Sequence, residues 1–218
     1  MLSNDGPRYP AALFFHACST RTGWHNRIVL CFWGAEEIGL KGSKHWVQDA
    51  KKSGRLSNVA LNLNFDMLAS PNYMMGVYDG STAPPGPDVL NGSVAIQNLL
   101  VEAIIGGKNN VSLREFNGRS DYGSFIAEGI PAGGIGTGNA DIKTPAARTK
   151  FGGIANAAYD PCYHQSCDTV ENINQEGYKI AADAIASVVV ELAMKPNLRQ
   201  WLQLKGDRPT YAPGSLDL

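Results

Sequence analysis

Arg27-Ile28-Val29-Leu30-Cys31-Phe32-Trp33, running into Gly34-Ala35-Glu36-Glu37, is the stretch on which the reading of the fold turns. The run is short, apolar, β-branched and aromatic, without the alternation of a half-buried strand, so it predicts a strand buried on both faces. Gly34 ends it, and the two glutamates fall at its carboxyl end.

Outward from this stretch the chain alternates. Gly39 to about Lys52 carries Ser43, Trp46 and Val47 at helical spacing and stops before Gly54, which predicts a helix. Val59–Phe65 predicts a second strand closed by Asp66, Ser70–Pro87 a Gly- and Pro-rich loop or hairpin, and Ser93–Ile105 a helix. Arg114–Phe116 reads as a strand, Ser120–Glu128 as a short helix opening after Gly118, and Ile130–Ile135 as a strand with Pro131 tolerated at its start. Thr137–Asp160 is small and polar and reads as a surface loop. Gln175–Met194 places Ile180, Ala181, Ala184, Ile185, Val188, Val189 and Leu192 on one helical face. The expected fold is α/β, a three-layer sandwich whose mixed, largely parallel sheet is flanked by helices. Residues 1–195 are expected to form one domain and 196–218 an exposed extension.

Composition excludes some functions. The 218 residues are 44% hydrophobic and 18% charged, with 24 glycines and 12 prolines, the balance of a globular domain rich in irregular connections. A net charge of -1 gives no basic face to meet phosphates, so no nucleic-acid partner is expected. No stretch reaches the roughly 18 consecutive apolar residues of a membrane span, and Met1–Pro10 lacks the basic start and apolar run of a signal peptide. No membrane association is expected, and the expected state is a monomer. Asn91-Gly92-Ser93 and Asn110-Val111-Ser112 are glycosylation sequons, and Cys162 and Cys167 are close enough in sequence for a small disulfide loop. Together they point to a secreted, extracellular protein whose signal lies outside these residues.

In open α/β sheets ligands gather beyond the carboxyl ends of strands, where Glu36, Glu37 and Asp66 fall. Taken singly, adjacent glutamates after a strand form a solvated loop, a terminal aspartate is a turn former, and His164 is a loop histidine. Taken together, carboxylates and an imidazole are the donors of a hydrolytic zinc, which keeps one position open for water.

Four blocks in order resemble the signature segments of M28 zinc aminopeptidases of the secreted bacterial and fungal leucine-aminopeptidase kind. They are Phe32-Trp33-Gly34-Ala35-Glu36-Glu37-Ile38-Gly39-Leu40-Lys41-Gly42-Ser43, Asn64-Phe65-Asp66-Met67-Leu68-Ala69-Ser70-Pro71-Asn72, Gly118-Arg119-Ser120-Asp121-Tyr122-Gly123 and Asp160-Pro161-Cys162-Tyr163-His164-Gln165-Ser166-Cys167-Asp168-Thr169. The resemblance implies peptide substrates with a free amino terminus, an apolar first residue and two zinc ions. It makes Glu36 the general base and Glu37 a zinc ligand completed by His164. Asp66 binds the other zinc and helps receive the substrate's ammonium, Tyr163 donates to the oxyanion, and Arg119 lines the substrate site. It also pairs Cys162 with Cys167, leaving Cys18 and Cys31 as free thiols, Cys31 in the core of its strand.

The resemblance weakens at the amino terminus. The family places a zinc-binding histidine and a bridging aspartate upstream, and Met1 falls after the histidine's position, so amino-terminal strands are expected to be missing. Asp5, in Asn4-Asp5-Gly6, keeps roughly the distance expected of the bridging aspartate, although Pro7-Arg8-Tyr9-Pro10 replaces the small Gly/Ser turn. His16 and His25 are poor substitutes for the histidine. Two alternatives stay open: a single-zinc enzyme resembling glutaminyl cyclases, using Asp5, Glu37 and His164, and a non-catalytic peptidase-like remnant.

Overall fold

The computed structural model describes residues 23–84 and 86–203. Asp5, His16 and Cys18 lie outside the described residues.

Among the described residues four strands form one sheet in the order β1-β4-β2-β3: β1 (Asn62–Phe65), β2 (Gly76–Tyr78), β3 (Ser112–Arg114) and β4 (Ala132–Gly136). β1 and β4 run parallel, as do β2 and β3, while β2 and β4 are antiparallel, so the sheet is mixed. Helices cover both faces. α2 (Pro87–Gly106), α5 (Gln175–Met194) and α6 (Leu198–Gln203) share one apolar cluster with Met75, Val77 and Ile135. On the opposite face, Tyr122 and Ile126 of α3 (Tyr122–Ile126) pack with Tyr78 and Ala132, and α1 (Lys41–Lys52) joins through Val47 against Phe125. The alternation along β1 sorts these layers: Leu63 and Phe65 pack into the α2 cluster, while Asn64 turns to Ser120 beside α3.

α2 carries the core. Ile96, Leu100, Val101 and Ile104 are at most 1% exposed, each contributing roughly 1.5–3 kcal/mol by leaving water. The helix sits close to the sheet because β4 offers Gly133, where a Cβ would lie 2.3 Å from Ile96 Cγ2. α5 starts at an Asn174 cap that accepts from Gly177 N at 2.9 Å, and the same side chain donates to Pro71 O at 3.1 Å, tying the helix to the segment after β1.

Several expectations are corrected. Residues 27–33 are not a strand: Val29, Leu30 and Phe32 are 55%, 48% and 87% exposed, and among the described residues none runs beside them as a ladder partner. A strand is defined by such pairing, which an apolar run alone cannot supply. Cys31 is consequently an exposed thiol and not a core residue. The stretch read as a loop or hairpin from Ser70 to Pro87 holds one strand, β2, fully buried between β4 and β3, where pairing with distant strands outweighs its glycines and prolines. The stretch from Thr137 to Asp160 contains α4 (Pro145–Phe151), whose Thr144 cap accepts from Ala147 N and whose proline occupies the first turn. The packed unit also runs beyond 195, because Leu198 and Leu202 of α6 are 7% and 3% exposed against α2 and α5.

Candidate active site

Glu36 and Glu37 are set by a turn and not by a strand end. Trp33 anchors the approach, its ring 6.0 Å from those of Trp46 on α1 and Phe125 on α3. Ala35 is left-handed (φ 56°), and the chain then winds into α1 through Leu40 N to Glu36 O (2.8 Å) and Lys41 N to Ala35 O (3.1 Å). Gly42 permits this: a Cβ there would stand 2.6 Å from Gly34 O. The glutamate pair is thereby held in the turn that leads into α1.

Asp66 follows β1. Met67 after it is left-handed (φ 58°), and its carbonyl accepts from Thr137 N at 2.6 Å. Ser120 Oγ donates to Asp66 Oδ2 at 2.8 Å.

His164 comes from the loop closed by a disulfide between Cys162 and Cys167, as expected. Buried Asp160 holds the root of that loop, its Oδ1 accepting from Cys162 N and from Asn172 Nδ2, each at 2.9 Å. His164 is left-handed (φ 57°) and its ring stacks on Tyr163 with centroids 3.8 Å apart. Non-glycine residues in this region of backbone space cost of order 1–3 kcal/mol each. Three of them, Ala35, Met67 and His164, are or adjoin candidate site residues.

The two halves of the site meet where His164 Nε2 lies 2.6 Å from Glu37 Oε1, with half of each side chain still exposed. An ion pair this exposed contributes little to stability. The Glu36 carboxyl is pushed up to about 7, first by burial and then by repulsion from Glu37, Asp66 and Asp121, with His164 opposing. Burial also raises the Tyr163 hydroxyl, reinforced by Glu37, Asp66 and Glu36 and opposed by Arg119. Glu37 and Asp66 thus act on both Glu36 and Tyr163, joined by His164 at the first and by Arg119 at the second. Such a concentration of acid is what a divalent cation offsets.

The donors fit zinc in kind, an imidazole nitrogen and a carboxylate oxygen converging with a second carboxylate nearby. Among the described residues no three His, Cys, Asp or Glu side chains surround one point.

Sequence reasoning missed Asp121, Tyr78 and the roles of Asn64 and Ser120. Asp121 is 4% exposed, its carboxyl is raised by burial above all, and among the described residues no donor reaches its Oδ1. Ser120 and Asp121 stood in a recognised block beside Arg119. Tyr78, buried on β2 and within electrostatic reach of Asp66 and Glu36, stood in a stretch read as a loop or hairpin.

The sequence matches the family described as Peptidase family M28 over residues 11–189, most of its length. The chain belongs to peptidase family M28. This M28 chain is 38% identical over 192 residues to a protein of Aspergillus fumigatus named probable leucine aminopeptidase 2, covering 88% of this chain and 38% of that protein. To an aminopeptidase of Pseudomonas aeruginosa it is 41% identical over 170 residues, covering 78% of this chain and 31% of the other. It thus spans about a third to two-fifths of the length of these relatives. Among solved structures, a zinc aminopeptidase from Bacillus subtilis superposes with a TM-score of 0.53 at 26% identity, over 75% of this chain and 35% of that one. The M28 assignment and the α/β fold of the sequence reading both hold.

Proposed function

We propose that this M28 chain carries the catalytic part of a zinc-dependent aminopeptidase that releases amino-terminal, apolar residues from peptides. The observation that carries the reading is the 2.6 Å approach of His164 Nε2 to Glu37 Oε1, two side chains 127 residues apart in sequence and held by independent devices. The M28 relatives named aminopeptidase support it.

In this reading Glu37 and His164 would hold one zinc and Asp66 the other, with Asp5, outside the described residues, as a further ligand. The metal, when bound, lowers the pKa of a water from 15.7 to roughly 7 and polarises the scissile carbonyl. Glu36 would take a proton on its carboxylate and return it to the leaving amine. Tyr163, stacked on His164, donates its O–H toward the developing oxyanion. Asp66 offers negative charge to the substrate ammonium, and Arg119 lines the substrate's approach.

Secretion belongs to the same proposal, supported by the Cys162–Cys167 disulfide, a bond that persists in oxidising compartments; a monomeric state is proposed with it. Glycosylation at Asn91 or Asn110 is the finer part of it. Asn110 donates to Lys150 O at 2.6 Å, a bond a glycan there would displace. A mass shift on glycosidase treatment of the secreted protein tests this.

The test of function is zinc content per chain with leucyl-anilide hydrolysis on the same sample, for the wild type and Glu36→Gln. Bound zinc with hydrolysis in the wild type, and bound zinc with turnover reduced about 10²–10⁴-fold in the variant, is the expected result. Normal cleavage by Glu36→Gln removes Glu36 as base; no zinc and no hydrolysis in the wild type makes the chain a non-catalytic M28 protein.

A further inference from the structure

Arg114 reaches from β3 across β2 to β4, and its cation arrives beside the candidate site. It ends β3 opposite Tyr78 of β2, while two residues back along β2 Gly76 pairs with Gly136 of β4. Register partners and second neighbours along a strand share a face, so Gly76, Tyr78, Arg114 and Gly136 lie on one side of the sheet. It is the side on which Tyr78 packs edge-on against Tyr122 of α3. The two glycines leave a lane free of side chains, and Arg114 fills it. A Cβ on Gly76 would lie 3.3 Å from Arg114 Cδ. One on Gly136 would lie 2.2 Å from Arg114 Nη1 and 3.1 Å from Asp66 O, so the guanidinium and Asp66 border the same point above β4.

Arg114 is half-buried, its guanidinium carbon 5.0 Å from the centroid of the Tyr78 ring. That contact engages the charge and leaves the N–H donors unspent. Among the described residues the Arg114 side chain forms no ion pair. Glu36, Glu37, Asp66 and Asp121 would by themselves repel an acidic side chain, whereas a guanidinium fork matches a carboxylate. The lane has already fixed the arginine stem, which lowers the ordering cost of binding. We propose that Arg114 is a specificity-determining residue that admits peptides beginning with aspartate or glutamate, the ammonium at Asp66 and the side-chain carboxylate on the guanidinium. The inference rests on the aminopeptidase reading and adds acidic first residues to the apolar ones given there.

The experiment compares kcat/KM for glutamyl-, glutaminyl- and leucyl-anilides in the zinc-loaded full chain, for the wild type, Arg114→Met and Arg114→Lys, and measures calorimetric binding of free L-glutamate and L-leucine to the same proteins. Arg114→Met keeps the stem and removes the charge. It is expected to lower the glutamyl-to-leucyl ratio about 10–100-fold, the worth of a hydrogen bond between charged groups, and to move the glutaminyl-to-leucyl ratio less. Arg114→Lys keeps charge and stem without the fork; it is expected to lower the glutamyl ratio by a smaller factor and serves if Arg114→Met does not fold. An unchanged ratio, or an equal loss on all three substrates as a merely structural arginine would give, overturns the specificity role and leaves the aminopeptidase reading intact. A wild type that hydrolyses none of them overturns that reading instead, and the arginine is then judged by binding. A preference for L-glutamate over L-leucine that Arg114→Met abolishes sustains the proposal, and the same relative affinities in wild type and variant overturn it.

Discussion

Removing the Cys162–Cys167 disulfide with the double substitution Cys162→Ser, Cys167→Ser tests how the candidate site is held. The bond spans a sequence separation of 5. For so short a loop the chain-entropy relation gives a loss of about 2 kcal/mol, arising from greater freedom of the unfolded chain. The folded loop keeps other restraints. Asp160 Oδ1 accepts from Cys162 N, Gln165 N bonds to Cys162 O at 2.8 Å, and Asp168 N to Gln165 O at 3.1 Å. The expected outcome is thus a protein that still folds, with urea unfolding shifted by about 2 kcal/mol at unchanged slope. His164 depends on the strained end of this loop, so zinc affinity should fall as well, and fall further when Asp160→Ala removes the second restraint. Stability within about 0.5 kcal/mol of the wild type, a change expected of a neutral surface substitution, together with unchanged zinc affinity in the double variant would refute this account of the loop.

His164→Ala leaves Glu37 without its imidazole partner and should weaken zinc by more than the 10–100-fold of an outer-shell loss; calorimetric titration checks it, and unchanged affinity removes His164 from the ligand set. Gly133→Ala puts a Cβ 2.3 Å from Ile96 Cγ2 and should destabilise by about 1–3 kcal/mol through overpacking, read by thermal or urea unfolding. Asp121 has a carboxyl raised by burial, so the fold binds its proton more tightly than the unfolded chain and loses stability as pH rises from the unfolded value of 3.8 through the higher folded one. Asp121→Asn should therefore be more stable than the wild type near neutral pH, with the gain shrinking toward pH 4; a difference constant with pH contradicts the assignment.

Much of the candidate site could be read from the sequence because its donors are local. Glu36 and Glu37 adjoin in sequence, Tyr163 and His164 sit between two cysteines, and Asp66 closes a strand. Long periodic elements were equally legible: the helix read over Gln175–Met194 forms over the same residues, because an apolar stripe repeated through five turns has no competing structure. Short strands were not. β2 and β3 are three residues each, too brief to show alternation, and exist only through the neighbours that pair with them.

By itself, the order of residues along this chain determined the class of fold, the helical core and the set of groups able to bind metal and move protons, since these depend on side-chain type and short-range period. Only the tertiary structure decided that Glu37 and His164 meet, that Asp66 is gripped by Ser120 and Asn64, and that residues 27–33 have no ladder partner among the described residues. Each of those depends on which distant segment arrives alongside. That is a matter of packing and hydrogen-bond partners, which no local pattern encodes.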